Sequence, residues 1–143
     1  MGKKVKIRNL QELEEFAQKF LSKLPANCNC ILLKGDLGAG KTTFTQFLAK
    51  HLGVSKQITS PTFVILQEYK TNNECFLKLR HADFYRLSSK DELRAFDINE
   101  LLKDKNTLHV IEWPQNVLDK TPQNCVELNI ALEGSARVIT SNI

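Results

Sequence analysis

The chain has 143 residues, is 42% hydrophobic and 25% charged, and carries a formal net charge of +4, which predicts one globular domain over residues 1–143 with a core large enough to need no staples. Its longest apolar runs, Cys30–Leu33 and Phe63–Leu66, are far short of the roughly 20 residues of a membrane span, and Met1-Gly-Lys-Lys4 leads into no apolar signal segment. A membrane or secreted protein is excluded by this reading, and a cytoplasmic domain is expected. The positive charge is local, because Lys3, Lys4, Lys6 and Arg8 supply all of the excess and the remaining basic and acidic residues balance. A basic N-terminal strand of this kind is more often a solvated face than an RNA contact.

In chain order, apolar side chains at Leu10, Leu13, Ala17, Phe20, Leu21 and Leu24 recur with helical period over residues 10–24. Asn9 with Glu12 resembles a capping box, and Pro25 marks the end. The run Cys30-Ile-Leu-Leu33 suits a strand buried on both faces. A glycine-rich turn then leads into a second helix from Lys41, with Phe44, Phe47, Leu48 and Leu52 inward and Gly53 at its close. After a loop, Thr62–Tyr69 and Cys75–Asp83 read as a hairpin turning at Lys70-Thr-Asn-Asn-Glu74. A helix from Ser89 to about Phe96, a short helix Ile98–Leu102, a strand Leu108–Glu112 and two last strands, Cys125–Leu132 and Ala136–Ile139, complete the chain. The expected fold is α/β and P-loop NTPase-like, in three layers. Its mixed sheet has a parallel centre and antiparallel edge strands, with helices on both faces. Cys28, Cys30, Cys75 and Cys125 form no C-x-x-C pair, and His51, His81 and His109 lie at no ligand spacing with them, so free thiols rather than a zinc site are expected.

The chemistry is carried by Gly35-Asp-Leu-Gly-Ala-Gly-Lys-Thr42, which matches G-x-x-x-x-G-K-[ST] between a buried strand and a helix. Glycines at 35, 38 and 40 let the backbone curl its N–H groups toward phosphate oxygens, and the helix N-terminus adds positive field. Asp36 to Thr43 would thus wrap a nucleoside triphosphate, with Lys41 on the β- and γ-phosphates and the Thr42 hydroxyl on Mg²⁺. Hydrolysis needs an acid at the metal. Asp83 and Glu112 both end strands, and either could be that acid. Ser60-Pro61-Thr62 lies where switch proteins sense a γ-phosphate. Trp113 follows Glu112 at the same edge, where a packing role and a functional one both stay open. Neither N-K-x-D nor D-x-x-G occurs, which favours ATP over GTP.

Together, Gly35-Asp-Leu-Gly-Ala-Gly-Lys-Thr-Thr43, Ser60-Pro-Thr-Phe63, His81-Ala-Asp-Phe-Tyr-Arg86 and Glu112-Trp-Pro114 resemble the bacterial TsaE (YjeE) family along nearly the whole chain. The resemblance implies a Mg-dependent ATPase of tRNA threonylcarbamoyladenosine synthesis. It would dock on TsaB and TsaD, meet tRNA only through that complex, and reset the complex between turnovers. It also implies Mg²⁺ ligation by Thr42 and Glu112, phosphate contact by Lys41, and hydrolysis dependent on Asp83. Ser60 to Phe63 would form a switch loop, and Arg137 would lie by the adenine. The chain departs from the family at Phe96-Asp97-Ile98, where a glycine is usual, and in lacking a threonine near the start of its first helix. Turnover by the isolated protein should be slow, with Arg86 the candidate arginine in cis. Two other classes stay open: a small-molecule P-loop kinase, which would release a phosphorylated product, and a nucleotide-gated binding module without useful turnover.

Overall fold

The computed structural model describes residues 3–58, 66–86, 98–116, 118 and 120–143. Its strands are β1 (Lys3–Ile7), β2 (Cys30–Lys34), β3 (Leu66–Lys70), β4 (Lys78–Asp83), β5 (Thr107–Glu112), β6 (Cys125–Glu133) and β7 (Ala136–Ser141). They lie in one sheet in the order β1-β7-β6-β2-β5-β4-β3. The four strands β6, β2, β5 and β4 run parallel. The outer pairs β3/β4, β6/β7 and β1/β7 are antiparallel. The expected mixed sheet, parallel at its centre, is the architecture the chain adopts.

Two layers of helix follow from the alternation of side chains along the central strands. Ile31 and Leu33 of β2, with Leu79, Leu108 and Val110 beside them, pack under α1 (Leu10–Ser22) and α2 (Lys41–His51). Cys30 and Leu32 face the other way, toward Ile98 of α3 (Ile98–Leu101) and Leu102. β2 is therefore apolar at every inward position, as a strand covered on both faces must be. Phe16 and Phe20 of α1 meet Phe44 of α2 at centroid distances of 6.0 and 6.1 Å. Phe44 is fully buried, and its truncation to alanine should cost about 3–5 kcal/mol. This aromatic contact fixes α2, and with it the loop that precedes it.

The boundaries differ from expectation where local hydrogen bonds intervene. α1 stops at Ser22, two residues early, because the Lys23 N–H already closes onto the Lys19 and Phe20 carbonyls. Its capping box is shifted: Asn9 Oδ1 accepts the Glu12 N–H as anticipated, but Glu12 Oε1 accepts from the Arg8 N–H. Leu10 is 65% exposed rather than part of the buried stripe. The hairpin is present, yet its second strand begins at Lys78 instead of Cys75. The Asn73 side chain accepts the Cys75 and Phe76 N–H groups and holds those residues in the turn. The segments 59–65 and 87–97, with Ser60, Thr62, and the helix expected from Ser89, lie outside the described residues. Among the described residues no helix is long and apolar enough to cross a membrane.

Candidate functional site

The glycine-rich loop leaves the C-terminal end of β2 and enters α2. At Gly35, φ is 149° and an added Cβ would stand 2.4 Å from the Ile130 carbonyl oxygen of β6, so only glycine lets the loop start this close to the sheet. Gly40 takes φ 112° at the N-cap and offers no side-chain cap. The first-turn N–H groups of α2 are thereby left for a ligand in the cleft that Gly40, Lys41, Thr42 and Thr43 line.

Asp83 and Glu112 are direct register partners at the ends of β4 and β5. His81 and Asp83 alternate onto one face of β4 with Leu79, the face that looks toward α2. The Phe84 N–H donates to the Glu112 carbonyl at 3.0 Å and locks the two strand ends together. Glu112 is 3% exposed, and its Oε2 lies 2.5 Å from His81 Nε2 and accepts from the Thr42 hydroxyl at 3.3 Å. His81 is completely buried, and its Nδ1 has no hydrogen-bond partner among the described residues. Asp83 accepts the Tyr85 N–H at 2.9 Å.

Lys41 is 5% exposed, and its ammonium donates to the Gly35 and Asp36 carbonyls at 2.5 and 2.9 Å. It stands 4.7 Å from the centre of a Trp113 ring, a cation–π contact. Burial lowers the Lys41 pKa, opposed by the carboxylates of Glu112, Asp83 and Asp36. Burial raises that of Asp83; the Glu112 charge pushes the same way, against the Tyr85 hydrogen bond, His81 and Lys41. Trp113 itself adopts φ 58°, an uncommon conformation for an L residue, with its N–H on the Leu33 carbonyl and its ring 5.0 Å from that of Tyr85.

Two clefts flank the loop. One, of ≈ 310 Å³, joins Lys41, Thr42, Asp83, Glu112 and Trp113 to the loop. The other, of ≈ 270 Å³, is lined by Arg8, Asn9, Leu10, Thr43, Ser135 and Arg137 among others. They meet at Gly38, Gly40 and Thr43. Arg137 Nε donates to the Ala39 carbonyl at 2.9 Å, so this residue, 98 positions downstream, braces the glycine-rich loop from the second cleft. Asp36 and Leu37 are exposed at the loop tip, and Arg86 is exposed beyond β4.

The structure thus brings together Lys41, Thr42, Asp83 and Glu112 in one cleft and places Arg137 at the adjoining one. Sequence reasoning assigned no role to His81, although its period-2 spacing from Asp83 puts both on one strand face. Arg8, read as part of a basic strand, Asn9, read as a helix cap, and Ser135 were given no place at the site, which they meet only through the sheet order. Thr42 and Glu112 offer hydroxyl and carboxylate oxygens, the hard donors Mg²⁺ prefers, and among the described residues no three His, Cys, Asp or Glu side chains gather as a metal cluster. Two protein oxygens with the rest of the shell left to phosphate and water is how Mg²⁺ is usually held, so the residues present fit that ion.

A strand–loop–helix unit at the centre of a parallel-cored sheet, with acids ending the neighbouring strands, defines a P-loop NTPase-like α/β fold. The family model for the threonylcarbamoyl adenosine biosynthesis protein TsaE matches residues 7–139. The chain is 34% identical to the tRNA threonylcarbamoyladenosine biosynthesis protein TsaE of Borreliella burgdorferi, over 96% of this chain and 98% of that one. It is 38% identical to the Rickettsia bellii protein of the same name, over 85% and 81%. The crystal structure of Bacillus subtilis YdiB superposes with a TM-score of 0.74 at 27% identity, covering 99% of this chain and 84% of that one. The chain belongs to the TsaE family of threonylcarbamoyl adenosine biosynthesis proteins.

Proposed function

We propose that this protein binds and hydrolyses ATP with Mg²⁺ and serves tRNA threonylcarbamoyladenosine synthesis by docking, in its nucleotide-bound form, on the TsaB and TsaD counterparts of its cell. The observation that carries the reading is the convergence of Lys41, Thr42, Asp83 and Glu112 on one cleft beside an uncapped helix N-terminus. The triphosphate would lie along the loop from Asp36 to Thr43, drawing the Lys41 ammonium from the loop carbonyls onto phosphate oxygens. Thr42 and Glu112 would hold the ion, whose contribution is to neutralise charge on the β- and γ-phosphates. Asp83, kept partly dehydrated at the cleft wall, is poised to orient or deprotonate an attacking water. The second cleft, with Arg137 and Arg8, would take the nucleoside. Lys41 is the cationic side chain of the phosphate cleft among the residues that line it. One cation leaves transition-state charge incompletely offset, which supports slow turnover in isolation and stimulation by partners that complete the site.

The test is phosphate release from Mg-ATP by the purified chain, alone and with its TsaB and TsaD counterparts. Stimulation of at least about ten-fold, abolished in Lys41→Ala, is expected. Unstimulated turnover of tens per second, or a phosphorylated small molecule as product, would overturn the reading.

A further inference from the structure

The β1 end of the sheet is built unlike the rest of the molecule. β1 pairs with β7 along one edge and ends the strand order, so among the described residues no strand covers its other edge. Lys3, Lys4, Val5 and Lys6 are all exposed there. Beside the strand runs a groove of ≈ 490 Å³ between β1, α1 and the end of β7. Val5, Phe16, Phe20, Ile139 and Ile143 give it an apolar lining. Lys3, Lys19 and Lys23 stand along it and carry no carboxylate partner among the described residues. Of its two acids, Glu12 is already engaged by the Arg8 N–H at 2.8 Å and the Arg8 guanidinium at 3.9 Å.

Strand geometry sorts these groups. By strand alternation Lys3, Val5 and Ile7 share one face of β1 and Lys4 and Lys6 the other, with Lys6 also reaching the groove that the first three line. Among the described residues Lys6 has only an exposed contact at 4.0 Å with Glu133, worth little. A strand added to this edge would therefore meet an apolar groove on one side and two ammonium groups on the other. Pairing with a second copy of β1 would set lysines against lysines, a common device that keeps edge strands from self-association. A nucleic acid would gain nothing from the apolar lining and would meet Glu12 and Glu15. We propose that the β1 edge and its groove are a docking surface for an extended protein segment in which apolar and acidic residues alternate, bound as an additional strand. Ile7 also lines the cleft beside the phosphate loop, so the end of the groove adjoins the nucleotide site. The surface does not depend on hydrolysis there.

The probe is a fluorescein-labelled, acetylated peptide alternating valine and glutamate, titrated with the full-length protein and followed by anisotropy. It should bind, whereas the valine–lysine analogue should not. N-methylation of alternate peptide amides on the pairing edge should abolish binding. Lys4→Glu/Lys6→Glu should weaken binding by about ten-fold or more and confer binding of the valine–lysine peptide. That exchange of preference cannot arise from misfolding. Equal binding of both peptides, indifference to N-methylation, failure of the preference to exchange, or no binding at all would overturn the proposal. So would a single-stranded RNA oligonucleotide that binds more tightly than the acidic peptide and displaces it.

Discussion

The contact between His81 and Glu112 makes the sharpest test of how the site is held. Both groups are buried, and one carboxylate oxygen serves the imidazole at 2.5 Å and the Thr42 hydroxyl at 3.3 Å. His81→Leu keeps roughly the volume of the ring but strands a carboxylate away from water with Thr42 as its one remaining side-chain partner among the described residues, at a cost of about 3 kcal/mol. Glu112→Leu strands the imidazole, whose Nδ1 already lacks a partner among the described residues, at a cost of about 2 kcal/mol. The double variant leaves neither group unpaired and replaces both with apolar side chains, so its cost should be about 2 kcal/mol rather than the sum. The expected coupling is about 2–3 kcal/mol in urea unfolding of nucleotide-free protein. Additivity within about 0.5 kcal/mol would refute the contact as described. In the partner-stimulated assay His81→Leu should lower kcat about 10–100-fold, because it frees the acid that would hold the metal. KM for ATP should change little, since Lys41 and the loop are untouched. His81 is a positioning residue in this account, and a purely structural role would not divide kcat from KM in that way.

Two further outcomes follow from titration. Asp83 has its pKa raised by burial and by the Glu112 charge, so the folded state is favoured by its protonation and that stability is lost as pH rises through the elevated value. Asp83→Asn should therefore stabilise the protein at pH about 7.5 by a few tenths to about 1 kcal/mol. The advantage should shrink on acidification in thermal melts, and ATP hydrolysis should be lost across that pH range. His109 runs the opposite way: burial, then the Arg80 charge, lowers its pKa from 6.5 to about 4. The stability linked to neutral His109 is complete above pH 6.5 and falls by about 1.4 kcal/mol per unit as pH drops toward 4. About 2 kcal/mol should thus disappear between pH 6.5 and 5 in urea titrations, and His109→Gln should remove that slope.

The central architecture was legible because its signals are local. Cys30–Leu33 is apolar without interruption, and G-x-x-x-x-G-K-[ST] has meaning only between such a strand and a helix. Asp83 and Glu112 could be named as strand-end acids, but the sequence left open which would lie nearer the metal. Their pairing in register and the Thr42–Glu112 hydrogen bond single out Glu112 as the acid beside that hydroxyl. The turn at Asn73 was misjudged at one end because a side chain, not a backbone propensity, holds Cys75 and Phe76 out of the strand. Beyond Arg137, which the family resemblance put by the adenine, the second cleft was illegible for a different reason. Arg8 and Arg137 are far apart in sequence and come together only because β1 pairs antiparallel with β7, setting Ile7 opposite Arg137. No spacing rule encodes that pairing.

The same burial that makes the site chemically useful also makes it costly to fold. Lys41 and Asp83 are each driven toward their neutral forms by dehydration, Glu112 is a carboxylate with almost no water access, and Trp113 holds an unfavourable backbone conformation between Glu112 and the Pro114–Asn116 turn. Relieving the buried charges with neutral residues would require replacing their buried partners as well, as for Glu112 with His81. What they share is the cleft. Bringing a divalent cation and a polyanion there would offset two carboxylates and one ammonium at once. Bound Mg-ATP should thus be a large part of what stabilises this corner of the sheet, and the partner-facing state of the protein should be the nucleotide-bound one.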